Sequence, residues 1–369
     1  MYTENKVIKV AKRENNQKRN YLVVNVLQGK HVPVVPSSAM NMFVQLGQII
    51  KETYVKEKLL LIGFAETATA IGAQIATQLD CYYIQTTREV IEGVDFLFFS
   101  EEHSHATEQK LVKNDIDQVI HKVNRIIFIE DEVTTGNTIK NIISLLQKEY
   151  CDCIMNFSIA SIINGMEMDL EQQFKDKQIN LHYLIKTRNS DYEKISDQYI
   201  GDGKYHTLKT TDIKIDYSIE NYTGWMDARR VLNSLDYKRV CDELWLKVKE
   251  NNDIQSIRSI LVLGTEEFMY PALYIASKLE EEGYDVKFHA TTRSPIMVDT
   301  KECYPLHERY ELRSLYSSER VTFIYDLREY DKVYIITDSS SNDSIGLNSL
   351  LHALKECGNK NISYIRWCQ

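Results

Sequence analysis

Apolar runs that do not alternate with polar residues recur along this chain. Lys58-Leu59-Leu60-Leu61-Ile62, Cys81–Gln85, Ile126–Ile129 and Ile154–Ile163 are four of them. Each reads as a strand buried on both faces, the pattern of a parallel sheet. Stretches of helical period lie between them. Ser37 or Ser38 is placed to cap one that runs to about Lys56. Gly63-Phe64-Ala65-Glu66-Thr67-Ala68-Thr69 opens another, to about Leu79, and a third begins near Ile139 and runs to about Lys148. Strand, turn, helix and strand in this order predict βαβ units, whose crossovers are nearly always right-handed.

The plan then repeats. Ser259–Glu266 matches Leu59–Glu66 in residue type, and Ile275-Ala276-Ser277-Lys278-Leu279 mirrors Ile75-Ala76-Thr77-Gln78-Leu79. The run Val286–Ala290 ends in Thr291-Thr292-Arg293, the same tripeptide as Thr86-Thr87-Arg88, and Lys332–Asp338 mirrors Arg125–Asp131. We therefore read an α/β protein of two related, Rossmann-like parallel-sheet domains. They arise from an internal duplication, and the second copy is degenerate. Residues 1–165 form the first domain and residues 256–369 the second. Residues 166–255 connect them and supply the second domain's leading helix, from about Ser234 to Lys249. Within the connection, Asp169–Lys177 is helical in pattern and Asp197–Tyr205 loop-like. Tyr222–Arg230, rich in aromatics and arginines, reads as a packing segment, with a ligand contact as the other reading.

Length and composition agree with this picture. A chain of 369 residues with 43% hydrophobic content can bury two cores. A net charge of −9 argues against non-specific nucleic-acid binding, which needs a basic surface. The 7 cysteines include no CxxC pair, only Cys151-Asp152-Cys153, so a reducing, cytoplasmic setting is expected. The N-terminus has no apolar signal segment, and no run is long enough to span a bilayer, so no membrane partner is expected.

The chemistry concentrates after the run Arg125–Ile129, in Glu130-Asp131-Glu132-Val133-Thr134-Thr135-Gly136-Asn137-Thr138. Acids at the carboxyl end of a parallel strand sit where open α/β sheets bind ligands. The following loop opens a helix, whose free N–H groups and dipole favour an anion. Gly136 allows close backbone approach, and the threonine hydroxyls add donors. Carboxylates beside an anion cradle suit a sugar phosphate. The acids meet ribose hydroxyls or a metal, and Thr134, Thr135, Gly136, Asn137 and Thr138 meet the 5′-phosphate.

This stretch resembles the phosphoribosyl-pyrophosphate (PRPP) motif of type I phosphoribosyltransferases. Over nearly the whole chain, the protein resembles a narrower family. Its members join a phosphoribosyltransferase domain to a C-terminal domain named for a Thr-Arg-Ser-Pro signature, and they are encoded near tellurite-resistance and stress genes. The signature stands here as Thr292-Arg293-Ser294-Pro295. The resemblance implies transfer of phosphoribose from PRPP to a small base-like acceptor with release of pyrophosphate, in biosynthesis or salvage of a nucleotide-like metabolite. It implies Mg²⁺, bound mainly through substrate and through Glu130 and Asp131, and a homodimer is one expected assembly. Glu130 and Asp131 would hold the ribose hydroxyls. Ala65, Glu66 and Thr67 match the pyrophosphate loop, where the family often has a non-proline cis peptide. Arg88 follows the next strand as a forked donor for phosphate oxygens, with a plain surface arginine as the other reading. His103 and His105 fall in the family's mobile catalytic loop, here unusually acidic through Glu101 and Glu102. A metal site and solvated histidines are the rival readings of that pair. In the second copy, Thr292, Arg293, Ser294, Asp338, Ser339, Ser340 and Ser341 are candidates for a different ligand. A non-catalytic PRPP or nucleotide-binding regulator remains the alternative function, because fold alone does not choose. PRPP synthetases also duplicate this fold, but they keep the motif in the second copy, whereas here it stands in the first.

Overall fold

The computed structural model describes residues 2–14, 19–99, 109–210, 216–251 and 257–368. Glu101, Glu102, His103 and His105 lie outside them. The chain forms two compact units that interleave along the sequence. One consists mainly of Asn41–Asn189 and Met226–Arg239. The other takes Asn5–Met40, Ser190–Trp225 and the chain from Val240 onward. Both are mixed α/β with parallel sheets.

The first unit is built on a six-stranded sheet. Its order is Leu232–Asn233, Tyr82–Gln85, Leu59–Gly63, Arg125–Val133, Asn156–Asn164, Asn180–Lys186. All neighbours are parallel except the short edge strand Leu232–Asn233. The unalternating apolar runs are the central strands, and Leu60, Leu61, Ile62, Ile126, Ile127, Phe128 and Ile129 have no exposed surface. Two strand bounds differ from the sequence reading. The motif strand does not stop at Ile129 but continues to Val133, because the facing strand is long enough to pair Val133 with Asn164. Ile154 is 95% exposed, since Cys151–Cys153 turn outward and the strand begins only at Asn156. The expected serine cap is also absent. Pro36 opens the helix Pro36–Thr53, where its missing N–H costs nothing. The Ser37 amide instead donates to Glu280 at 2.7 Å.

The second unit holds an all-parallel five-stranded sheet. Its order is Tyr217–Tyr222, Ile362–Trp367, Lys332–Thr337, Ser259–Gly264, Asp285–Ala290. One core cluster packs Leu261, Leu263, Val333 and Ile335 against Leu350, Leu351 and Leu354 of the helix Ser344–Glu356. Beside the antiparallel pair Ile8–Lys12 with Tyr21–Asn25 of the second unit, two antiparallel hairpins, one in each unit, were not singled out by the periodicity. These are Phe96–Phe99 with Gln109–Val112, and Glu308–Arg313 with Val321–Tyr325. No described helix is long and apolar enough to cross a membrane.

Candidate active site

Of the first unit's candidates, Ala65–Thr67 and Glu130–Thr138 gather at the carboxyl ends of two adjacent strands, and Arg88 follows a third. Leu59–Gly63 pairs with Arg125–Val133 through Gly63 and Ile129, and the Phe64 amide donates to the Ile129 carbonyl at 3.1 Å. The turn after the first strand therefore lies beside the acids at the end of the second. Side chains alternate along a strand, so Glu130 and Glu132 share one face and Asp131 takes the other. The Thr67 hydroxyl bonds to the Asp131 carboxyl. Burial pushes that carboxyl up to about 6, and the charge of Glu132 adds to the rise. The Thr67 bond and backbone amides pull against it. A carboxyl so placed binds its proton more tightly than a free aspartate does, and a nearby cation or a set of hydroxyl donors would favour its charged form.

The turn itself is held by residues that sequence reasoning passed over. The Ala65 amide donates to the Thr86 hydroxyl at 2.8 Å, and the Gln109 amide group donates to the Ala65 carbonyl at 2.6 Å. Thr86 and Gln109 also bond to each other, and all of these groups are buried. The peptide bond between Ala65 and Glu66 is cis. Thr86 carried one signal, its place in the repeated Thr-Thr-Arg tripeptide. Gln109 carried none, because its role depends on a hairpin that returns to the turn. Arg88 is half-buried, just past the strand Tyr82–Gln85. Neighbouring Thr87 is locked to Lys110 by two backbone bonds of 3.0 and 3.1 Å.

Thr134, Thr135 and Gly136 form the link from the motif strand to the helix Asn137–Glu149. Gly136 has φ +68, and a Cβ there would stand 2.6 Å from the Phe174 ring and 2.9 Å from Met166 Cε. Both the backbone angle and the space therefore require glycine. No side chain of the N-cap residue closes this helix start. The Thr135 hydroxyl accepts from the Asn137 amide at 3.3 Å. Met166, whose Cε lies beside Gly136, is held by Asn164 and Lys186, which also bind Glu171.

The second unit has comparable backbone bonds at the end of its strand Ser259–Gly264, with different chemistry around them. The Glu266 amide donates to the Thr291 hydroxyl at 3.0 Å, as the Ala65 amide does to Thr86. Thr292 is locked to Phe323 as Thr87 is to Lys110. Arg293, however, is held by its own unit's acids. Its Nε donates to buried Glu266 at 2.6 Å, and its Nη2 lies 3.3 Å from buried Glu267. Arg320 and Ser314 close on the same Glu266 carboxylate. Buried Lys30 donates to the Glu266 and Thr291 carbonyls at 2.6 and 2.9 Å. Asp338 accepts from the Tyr316 hydroxyl at 2.5 Å. Ser294 binds back to the Thr292 hydroxyl, and the Ser339 amide to that of Thr337. Ser340 is exposed, and the Ser341 amide donates to the Ser339 hydroxyl. The next helix is capped by the Asp343 carboxylate, which accepts from the Ile345 amide at 2.9 Å.

Tyr222–Arg230 is of mixed exposure, with Thr223 and Gly224 exposed and Ala228 and Arg229 buried. Tyr222 is buried, and Arg230 grips Asp115 through two bonds of 2.7 Å.

Residues 7–190 match the family model described as phosphoribosyl transferase, and residues 229–354 match that of the TRSP domain C terminus to PRTase_2. The chain is similar to hypoxanthine-guanine phosphoribosyltransferase of Staphylococcus epidermidis, at 22% identity over 158 residues, 42% of this chain and 83% of that protein. Among solved structures it is similar to adenine phosphoribosyltransferase of Rhodothermus marinus, at 14% identity and a TM-score of 0.36, covering 49% of this chain and 95% of that one. It is likewise similar to the Trypanosoma brucei adenine phosphoribosyltransferase crystallised with AMP, pyrophosphate and ribose-5-phosphate, at 14% identity and a TM-score of 0.36, covering 49% and 77%.

Proposed function

Because the chain belongs to the family that joins a phosphoribosyl transferase domain to a TRSP domain, we propose that it transfers phosphoribose from PRPP to a small base and releases pyrophosphate. The observation that carries this reading is the Thr67–Asp131 hydrogen bond. It joins the turn expected to hold pyrophosphate to an acid expected to hold ribose, beside a helix start with no N-cap side chain.

In this reading Glu130 and Asp131 accept from the ribose hydroxyls, and Thr134–Thr138 donate to the 5′-phosphate. Ala65, Glu66 and Thr67 line the pyrophosphate, with Arg88 as its cationic partner. The transition state of such a displacement resembles an oxocarbenium ion, so the protein's contribution is positioning and charge stabilisation. The part-buried carboxylates of Glu130, Asp131 and Glu132 are hard oxygen donors of the kind Mg²⁺ accepts. When bound, Mg²⁺ would neutralise charge on the leaving pyrophosphate. The names of the similar proteins make purines the first acceptors to try.

The second unit is proposed to be a duplicate that does not turn over PRPP. The same order of four core strands, and arginines three residues past equivalent strands, support the duplication. Engagement of Arg293 by Glu266 and Glu267, and of Asp338 by Tyr316, supports its inactivity toward PRPP. The test is calorimetric titration of PRPP with Mg²⁺, followed by pyrophosphate release across a panel of purines and other bases. Binding with base-dependent release is expected. Binding without release for any base would favour a sensor, and no binding would remove the reading.

A further inference from the structure

Among the described residues, one group of metal-ligating side chains lies away from the sugar-phosphate site. It sits past the opposite end of the helix Asn137–Glu149, whose 13 residues span about 20 Å. We propose that His121, Asp152 and Cys153 form a surface site for a thiophilic divalent cation of the zinc type.

The geometry is close to that of a loaded site. His121 Nδ1 lies 3.3 Å from Cys153 Sγ, and Asp152 Oδ1 lies 3.8 Å from the same sulfur. All three ligand atoms fall within 4.8 Å of one another. A tetrahedral ion at about 2.3 Å from sulfur and about 2.0–2.1 Å from nitrogen or oxygen separates its ligand atoms by roughly 3.3–3.7 Å. One ion can therefore meet all three with small side-chain adjustments.

The two turns that present these ligands are fixed to each other. His121 lies in the short turn Ile120–Lys122, which follows the helix Lys113–Val119. Cys153 closes the turn after Tyr150, its amide donating to the Tyr150 carbonyl at 3.0 Å. The Tyr150 hydroxyl donates to Asp117 of the other helix at 2.6 Å. His121 and Asp152 are exposed, so an ion reaches them directly from solvent.

The donor set selects the ion. Imidazole, thiolate and carboxylate suit zinc and its congeners, whereas Mg²⁺ prefers oxygen alone. The fourth position is left to water. The cation takes the thiolate form of Cys153, so binding displaces the thiol proton.

Co²⁺ titration of the full chain, stripped of metal and kept reduced, tests the site at neutral pH. One Co²⁺ per chain should bind with proton release and a thiolate-to-cobalt absorbance in the near ultraviolet, and Zn²⁺ should then bleach that absorbance. Cys153→Ser should abolish the absorbance, and His121→Ala should weaken Zn²⁺ binding by about tenfold or more. Cys303→Ser, an exposed thiol elsewhere, should change neither. Circular dichroism confirms that each variant is folded. Absence of the absorbance in the wild type, or its survival in folded Cys153→Ser, overturns the proposal.

Discussion

Replacing Asp131 with asparagine should stabilise the ligand-free protein at neutral pH while weakening PRPP binding. Burial lifts the wild-type carboxyl to about 6 in the fold, against an ordinary value of 3.8. A pKa raised on folding means that the fold prefers the protonated form. The associated stability is complete below pH 3.8 and is lost as pH rises through 6. Each unit corresponds to 1.36 kcal/mol, so the wild type forfeits about 3 kcal/mol by neutral pH. Asparagine does not titrate, and its oxygen can still accept from Thr67. The variant's advantage should therefore be near zero around pH 4 and reach about 2–3 kcal/mol above pH 7. For a domain of this size that is roughly 4–12 °C in Tm. Urea denaturation of both proteins at several pH values across this range measures it. A difference that does not change with pH, or a variant less stable than wild type at neutral pH, would refute the argument that Asp131 is held at a cost. Calorimetry on the same two proteins closes the case, because a site acid kept for its ligand should cost stability without it.

Gly136→Ala should destabilise the chain by about 1–3 kcal/mol and weaken PRPP binding. It combines φ +68 with a 2.6 Å approach to Phe174, and denaturant midpoints with parallel calorimetry check it. Glu266→Gln should cost about 2–4 kcal/mol in denaturant unfolding, because it leaves Arg293 and Arg320 short of a buried charged partner. An unchanged midpoint would mean that the network contributes little. Glu130→Gln/Asp131→Asn should abolish PRPP-dependent pyrophosphate release once an acceptor is known, while Asp338→Asn leaves the rate at saturating substrate nearly intact. Equal damage from the two, with both proteins folded, would show that the chemistry is not confined to the first unit.

The apolar runs by themselves determined where most central strands lie. A residue buried on both faces must be apolar whatever its neighbours, so Leu59–Ile62, Ile126–Ile129 and Val333–Ile336 announce themselves locally. The Gly136 loop was legible for a similar reason, since a left-handed backbone angle at a tightly packed turn leaves few residue choices. Register and partner were not legible. The motif strand runs on to Val133 only because Asn156–Asn164 is there to pair with it, and Ile154 is exposed because the turn before it faces solvent. The two hairpins lacked a strong period, and Gln109 reaches Ala65 only because one of them folds back. Charge state was furthest from view. Asp131 and Arg293 look in sequence like open functional groups. Tertiary packing buries the first beside Glu132 and Thr67 and closes two glutamates on the second. A side chain's type is written in the chain, but its dielectric surroundings and its ion-pair partners come from segments far away in sequence, and only the fold brings them within reach.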